Sequence, residues 1–440
     1  MENNKYFFVC RTCGEKIAGF GPWFAHQQQC PACGSKWVDV RYQNDPAGIQ
    51  QLIADKNTRV ESFFHYFDYL PLINRNNIIT SGEGAIPVER WAFLEEFAQH
   101  YFGTNLTVLV YRNDLNGGTG TFKDVAAAMA ASVLKEHGIR EYCVASTGNI
   151  ATAFAFYLAK AGISLSVFIP EDALKSNEAG VSCFGQRVYR IKGDYALAKK
   201  ICAEFSKKYN IPMSGGNIDP ARVEAKKTQV FEWLRQLGYI PDVYIQSLAG
   251  GTGPIAIDKA LNDIRHLGLF TKDPRYILVQ PSGCNPMTVA WEKAKATAYP
   301  DGWTQDFPIF NSPQTRIPTL ANGNPQTYPI LAPLVHKTNG EFITFDENLH
   351  VEVSRLVAYE TGIKAGPAAA IAVGGFFQSL QQGLLQNGER VMINLGEGTD
   401  RAPDLLEEMI YTTIETDNVA NCSPFHRETL RSKLYKPFLP

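Results

Sequence analysis

The feature that most narrows the fold is a repeated order of strand, polar or glycine-rich loop, and helix. Apolar, β-rich runs stand at TVLVYR (107–112), YCVAS (142–146), SLSVFIP (164–170), DVYIQSL (242–248), YILVQP (276–281) and RVMINLG (390–396). Helical patterns separate them: an alanine-rich stretch at 123–137, NIATAFAFYLAKAG at 149–162, which ends on a glycine, and IAIDKALNDI after the loop AGGTGP. Buried apolar strands alternating with helices predict an α/β protein with parallel sheets covered on both faces. In such sheets a ligand sits at the carboxyl ends of the strands, where loops enter helices. Function is therefore sought in those loops.

At 440 residues the chain is long enough for about two or three domains with buried cores. Its 42 basic and 44 acidic side chains leave a formal charge of −2, so no global field draws it to nucleic acid or to an anionic membrane. The first residues, MENNKYFFVCRTCG, hold no apolar run of signal-peptide length. No stretch approaches the ~18 continuous apolar residues of a spanning helix. The expectation is a soluble, cytoplasmic protein with neither nucleic acid nor membrane as partner.

Four of the nine cysteines fall in two C-x-x-C-G units, CRTCG and CPACG, which supply Cys10, Cys13, Cys30 and Cys33. Two intervening residues let one tight turn aim both sulfurs at a single tetrahedral centre, and Gly14 and Gly34 complete the turns. This spacing predicts a zinc ribbon over residues 1–45. Four thiolates leave no open position, so the zinc is read as structural. A pair of redox disulfides and a degenerate ribbon are the alternatives. The scattered Cys143, Cys183, Cys202, Cys284 and Cys422 read as small buried hydrophobes. The aromatic run KNTRVESFFHYFDYLP (56–71) reads as a linker packed against the main body, residues 46–440.

NGGTGTFKDV (116–125) places a lysine between a flexible turn and an alanine-rich helix. It is no P-loop, because Phe122 precedes Lys123 and Asp124 follows it, where Gly and Ser or Thr are required. SLAGGTGP (247–254) is the better phosphate cradle: Gly250, Gly251 and Gly253 let backbone N–H groups converge on an anion, and Thr252 adds a hydroxyl. It lacks the G-x-G-x-x-G pattern and the acidic partner of a dinucleotide site. In ASTGN (145–149), Asn149 is either an N-cap or a ligand contact. A fourth loop, NLGEGTD (394–400), also follows a strand. A lysine at a helix start, a phosphate cradle, a polar loop and a closing loop are together the parts that hold pyridoxal 5'-phosphate. Lys123 would form a Schiff base with its aldehyde, with desolvation making the amine nucleophilic.

These residues resemble the threonine synthase family of fold-type II pyridoxal-phosphate enzymes along most of the chain. GEGAIPV (82–88) is similar to G-E-G-x-T-P-L, NGGTGTFKDV to N-P-T-G-S-F-K-D-R, and ASTGNIA to A-S-T-G-N-T-A. DPARVEAKKT (219–228) is similar to N-P-x-R-x-E-G-Q-K-T, FFHYFDYLP to W-R-Y-x-x-L-L-P, and LAGGTGP to the phosphate loop. The resemblance implies a tryptophan synthase β-like fold of two parallel-sheet α/β domains, the smaller inserted over about 120–240, and a homodimer. It implies that Lys123 is the Schiff-base lysine and Asn149 the partner of the ring hydroxyl.

Departures stand where substrate and cofactor electronics are decided. Val125 replaces an arginine, Ala225 and Lys226 replace Gly and Gln, and Gly366 replaces a glutamate in the segment AGPAAAI. Leu395 stands where a Thr or Ser faces the ring nitrogen, so either Thr399 returns a hydroxyl to it or the nitrogen goes unpaired. The expected activity is elimination of phosphate from an O-phosphorylated amino acid and addition of a nucleophile, as in O-phosphohomoserine giving threonine. Cysteate synthesis from O-phosphoserine and sulfite, and a catalytically silent cofactor-binding relative, are the alternatives, with an inert zinc-ribbon nucleic-acid binder behind them. Thr119, Ser146, Thr147, Arg222, Lys226 and Lys227 are candidates for the substrate's anionic groups, against a reading as loop caps and solvated charge.

Overall fold

The computed structural model describes residues 5–440 apart from positions 46, 147, 172, 400 and 401. Twelve strands among them form three sheets. The first is antiparallel and contains β1 (Tyr6–Cys10), β2 (Lys16–Ile17) and β3 (Val38–Tyr42), in the order β2-β1-β3. The central sheet is built from β4 (Val88–Arg90), β5 (Thr107–Tyr111), β9 (Val243–Ser247), β10 (Arg275–Pro281), β11 (Glu341–Phe345) and β12 (Arg390–Asn394). Its order is β11-β10-β9-β12-β5-β4, parallel throughout except at the edge strand β4. The third sheet, β6 (Glu141–Ala145), β7 (Ser164–Pro170) and β8 (Arg187–Ile191), is parallel. All six strands anticipated from the apolar runs are present.

Burial explains the parallel order. β9 and β12 are inaccessible on both faces along nearly their whole length, so helices must cover each side. On one side the helix Pro367–Gln381 lies against the sheet through two glycines. A Cβ at Gly374 would fall 2.4 Å from the Phe345 ring, and one at Gly375 2.3 Å from Val279. Small residues here let helix and sheet approach closely.

The amino-terminal sheet is fastened to the body by aromatic packing. Tyr6, Phe8, Phe20 and Trp23 are buried in the same apolar cluster as Val125, Met129 and Val133 of the helix Asp124–Glu136. Burying each such aromatic side chain contributes roughly 1.5–3 kcal/mol. The aromatic run near residue 65 is a short 3₁₀ segment, Phe63–Tyr69, capped by Ser62 and buried at Phe63, Phe64, Tyr66, Phe67 and Tyr69. Tyr66 donates its hydroxyl to Glu232 at 2.7 Å, which satisfies both polar groups inside the core.

Candidate active site

Four loops leave the carboxyl ends of β5, β6, β9 and β12, the edge where parallel sheets bind ligands. The first runs from β5 to Lys123, which takes the N-cap position of the helix Asp124–Glu136. It is stitched to the last loop: Phe122 N–H donates to the Gly396 carbonyl at 2.8 Å, and Thr121 bridges Glu397. β9 and β12 are neighbours, so the glycine loop and the closing loop start side by side.

Asp124 fixes the turn ahead of the lysine. Its carboxylate accepts from Thr119 N–H at 2.9 Å, Thr119 Oγ1 at 2.8 Å and Thr121 N–H at 2.7 Å. Burial lifts the Asp124 carboxyl to about 7, against the pull of those donors. The Thr119 hydroxyl is thus spent on the turn, leaving only its lone pairs to a ligand. Gly118 is required by space as well as by its φ of +96°, because a Cβ there would meet Tyr157 Oη at 2.5 Å.

Lys123 is half-buried, and burial together with the neighbouring Arg222 guanidinium lowers its amine to about 8, with Glu397 pulling the other way. Asn149 begins the helix Asn149–Ala161 and donates its amide to Glu397, an acidic contact that sequence reasoning passed over. Ser146 is buried, and its hydroxyl accepts from Gly148 N–H at 3.2 Å. Thr147 lies outside the described residues.

The helix Pro220–Leu237 carries three candidate cations, and they divide. Arg222 is buried with Nη1 at 3.4 Å from Ser214 Oγ, while its Nε has no partner among the described residues. Lys226 is 1 % exposed, its Nζ makes no hydrogen bond among the described residues, and it lies 3.7 Å from the centre of the Phe122 ring. Burial, Lys123 and Arg222 all push its amine far down. Lys227 turns the other way, into ion pairs with Glu224 at 2.5 Å and Asp263 at 3.0 Å. Lys227 is therefore withdrawn as a ligand contact: one residue along a helix is a rotation of about 100°.

In the glycine loop, Gly251 sits at φ +74° as N-cap of the helix Thr252–Ile264. A Cβ on Gly250 would lie 1.8 Å from Asn217 Nδ2, and one on Gly253 2.2 Å from Gln246 Oε1. Side chains at these positions would fill the cradle. Thr252 donates its hydroxyl to Asn217 Oδ1 at 2.9 Å, so Asn217 is a loop-holding residue that no motif flagged. Leu395 is fully buried in the apolar core. The Thr399 hydroxyl is buried without a partner among the described residues.

The four amino-terminal cysteines come together, with all sulfurs within 4.8 Å of one another. Cys10 and Cys33 Sγ are 3.6 Å apart, and Cys13 and Cys30 Sγ 3.7 Å apart. A tetrahedron of thiolates at ~2.3 Å from zinc has edges of ~3.8 Å, so the donor set fits that metal.

Fold and loops define a class: an α/β enzyme with a depressed lysine and a glycine cradle at the carboxyl edge of its sheet. Residues 79–396 match the family described as pyridoxal-phosphate dependent enzyme, and the chain belongs to that family. Within it the chain is a relative of the threonine synthases, and it acts as a pyridoxal-phosphate dependent lyase or synthase. It is 26% identical to threonine synthase of Methanocaldococcus jannaschii over 84% of this chain and 92% of that one. It is also 26% identical to cysteate synthase of Methanosphaerula palustris, over 86% and 90%. Among solved structures, cysteine synthase of Entamoeba histolytica has the same fold, with a TM-score of 0.59 at 15% identity over 83% of this chain and 96% of that one.

The residues present fit the cofactor. The unpartnered Lys226 Nζ, Arg222 Nε and Thr399 Oγ1 are buried polar atoms that a polar, anionic group would satisfy.

Proposed function

We propose that the protein eliminates phosphate from an O-phosphorylated amino acid and adds a nucleophile, with O-phosphohomoserine converted to threonine as the first reading. The observation that carries it is Lys226, a buried amine without a hydrogen-bond partner, set beside Lys123 and Arg222. A buried amine pushed this far down regains its charge only beside an anion that completes it. The cradle at Gly250, Gly251, Thr252 and Gly253 accounts for the cofactor phosphate, so a second anion is left for the cations. Bound pyridoxal phosphate supplies the electron sink for charge developing at the substrate Cα. Lys123 is assigned to bond the cofactor and then to carry the Cα proton, a task suited to an amine that titrates near 8. Asn149 and Thr399 are assigned to the ring, and Arg222, Lys226 and Ser146 to the substrate's anionic groups.

Sulfite replacement on O-phosphoserine is the second reading. There the C–O bond to phosphate breaks, a C–S bond to sulfite forms, and both partners are anions that the two cations would hold. Incubating the enzyme with each phospho-amino acid, with and without sulfite, and identifying the products separates the two. Phosphate release from neither substrate would leave a silent cofactor-binding relative. Loss of visible absorbance in Lys123→Ala tests the cofactor assignment by itself.

We further assign structural zinc to Cys10, Cys13, Cys30 and Cys33 in a ribbon over residues 1–45, and the catalytic body to residues 46–440 with its smaller unit at about 120–240. One equivalent of zinc by elemental analysis, lost on chelation with loss of amino-terminal structure, is the expected result.

A further inference from the structure

We propose that Glu397 is the positioning residue of the cofactor site: its carboxylate, supplied from the closing loop into space left open by Gly366, holds Asn149 against the start of the helix Pro367–Gln381, while its backbone bridges the lysine turn. The inference rests on the assignment of Lys123 as the lysine that carries the cofactor.

Four contacts with described residues meet at Glu397, which is 2 % exposed. Oε2 accepts from Asn149 Nδ2, and Oε1 accepts from Ala368 N–H at 2.8 Å, at the start of the helix Pro367–Gln381. The backbone of Glu397 bridges Thr121 in the lysine turn and accepts Gly366 N–H at 3.1 Å. Both carboxylate oxygens therefore accept from N–H donors.

Gly366 makes the room. Its φ of −74° suits any residue, so the glycine is required by space and not by backbone conformation. A Cβ at 366 would lie 2.8 Å from Glu397 Cγ and 2.6 Å from the Gly398 carbonyl oxygen. One carboxylate occupies this corner, and it comes from position 397.

The position also gives Glu397 an electrostatic task. Around Lys123, the helix Pro220–Leu237 presents Arg222 and Lys226, and the closing loop presents Glu397. Asp124, on the lysine's own helix, is turned to Thr119 and Thr121. Among these described groups Glu397 opposes the Arg222 guanidinium, and it keeps the Lys123 amine from falling further.

The test is Glu397→Gln in the full-length chain, freed of cofactor. Acetylation of Lys123, followed by mass spectrometry across a pH series, gives the midpoint of its amine. Pyridoxal phosphate titration gives its affinity. Removing the charge is expected to lower the midpoint by about one pH unit, as loss of an opposite charge at close range does. Turning an N–H toward Asn149 or Ala368 is expected to weaken pyridoxal phosphate binding about tenfold or more, as loss of a hydrogen bond to a charged group does. Gly366→Ala, which keeps the charge but crowds it out, should weaken binding likewise. A folded Glu397→Gln chain with an unmoved Lys123 midpoint overturns the proposal, and so does a folded Gly366→Ala chain with wild-type affinity. Neither readout depends on which substrate the enzyme takes.

Discussion

Lys226 and Lys227 are adjacent in sequence and equally buried, yet their surroundings are opposite. On the side facing the amino-terminal sheet, Lys227 pairs with Glu224 and Asp263, and Lys259 lies within 3.8 Å of Asp39 and 3.6 Å of Glu224. Tyr42 of β3 donates to Glu224 at 2.7 Å, which ties the sheet into the network. On the side facing the loops, Lys226 has an aromatic ring at 3.7 Å and no hydrogen bond. Charges that serve the fold are neutralised by the chain itself. Among the described residues, the lysine whose Nζ has no partner is the one proposed above for a ligand.

The largest effect expected from this contrast is on stability. Lys227→Met leaves Glu224 and Asp263 short of a buried counter-charge and should cost about 3–5 kcal/mol in denaturant unfolding. Lys226→Met should do the reverse, raising the stability of the cofactor-free chain by about 1–3 kcal/mol because an unsatisfied buried group is removed. The same variant should raise KM for the phosphorylated substrate about tenfold, since a hydrogen bond to a charged group is lost. Equal destabilisation by the two variants would break the comparison.

A pH series sharpens it. A lysine depressed in the folded state sheds its proton on folding, so its neutral form favours the native state most above the unfolded value of 10.5. Stability should fall as pH drops from 10.5 toward about 8, the window set by Lys123, and Lys226 adds to the same slope. Lys226→Met should flatten that slope in urea midpoints measured between pH 8 and 10.5. Lys227→Met should lower the whole curve, because Glu224 and Asp263 lose a buried counter-charge.

The contrast also marks what the sequence made legible. Strands β5, β6, β7, β9, β10 and β12 announce themselves because burial on both faces demands continuous apolar runs. β8, RVYRI, has no buried position and carries two arginines, and β4 has three residues, so neither gives a pattern to read. The loops holding Lys123, Asn149 and Gly250–Gly253 are legible through glycine spacing and helix starts. Glu397 was not, because a single acid in LGEGT looks like a solvated loop carboxylate until the chain folds it onto Asn149. Which of two neighbouring lysines faces the site depends on helix phase, and an isolated KK pair does not reveal that.

The smallest effects should separate two threonines. Thr252 spends its hydroxyl on Asn217, so Thr252→Val should cost the cofactor-free chain about 1 kcal/mol, the usual net worth of one hydrogen bond. Thr399 has a buried hydroxyl with no partner, so Thr399→Val should cost the cofactor-free chain nothing and even stabilise it by up to about 1 kcal/mol. Affinity for pyridoxal phosphate should then reverse the order of interest. Leu395, fully buried among apolar side chains, has no hydroxyl to offer a ring nitrogen. If Thr399 serves there, Thr399→Val weakens pyridoxal phosphate binding several-fold in a chain that melts no earlier than wild type. Unchanged affinity in that variant would mean that the orphaned hydroxyl answers to something other than the cofactor, and would confine the principle of reserved, unpaired groups to the cations of the Pro220–Leu237 helix.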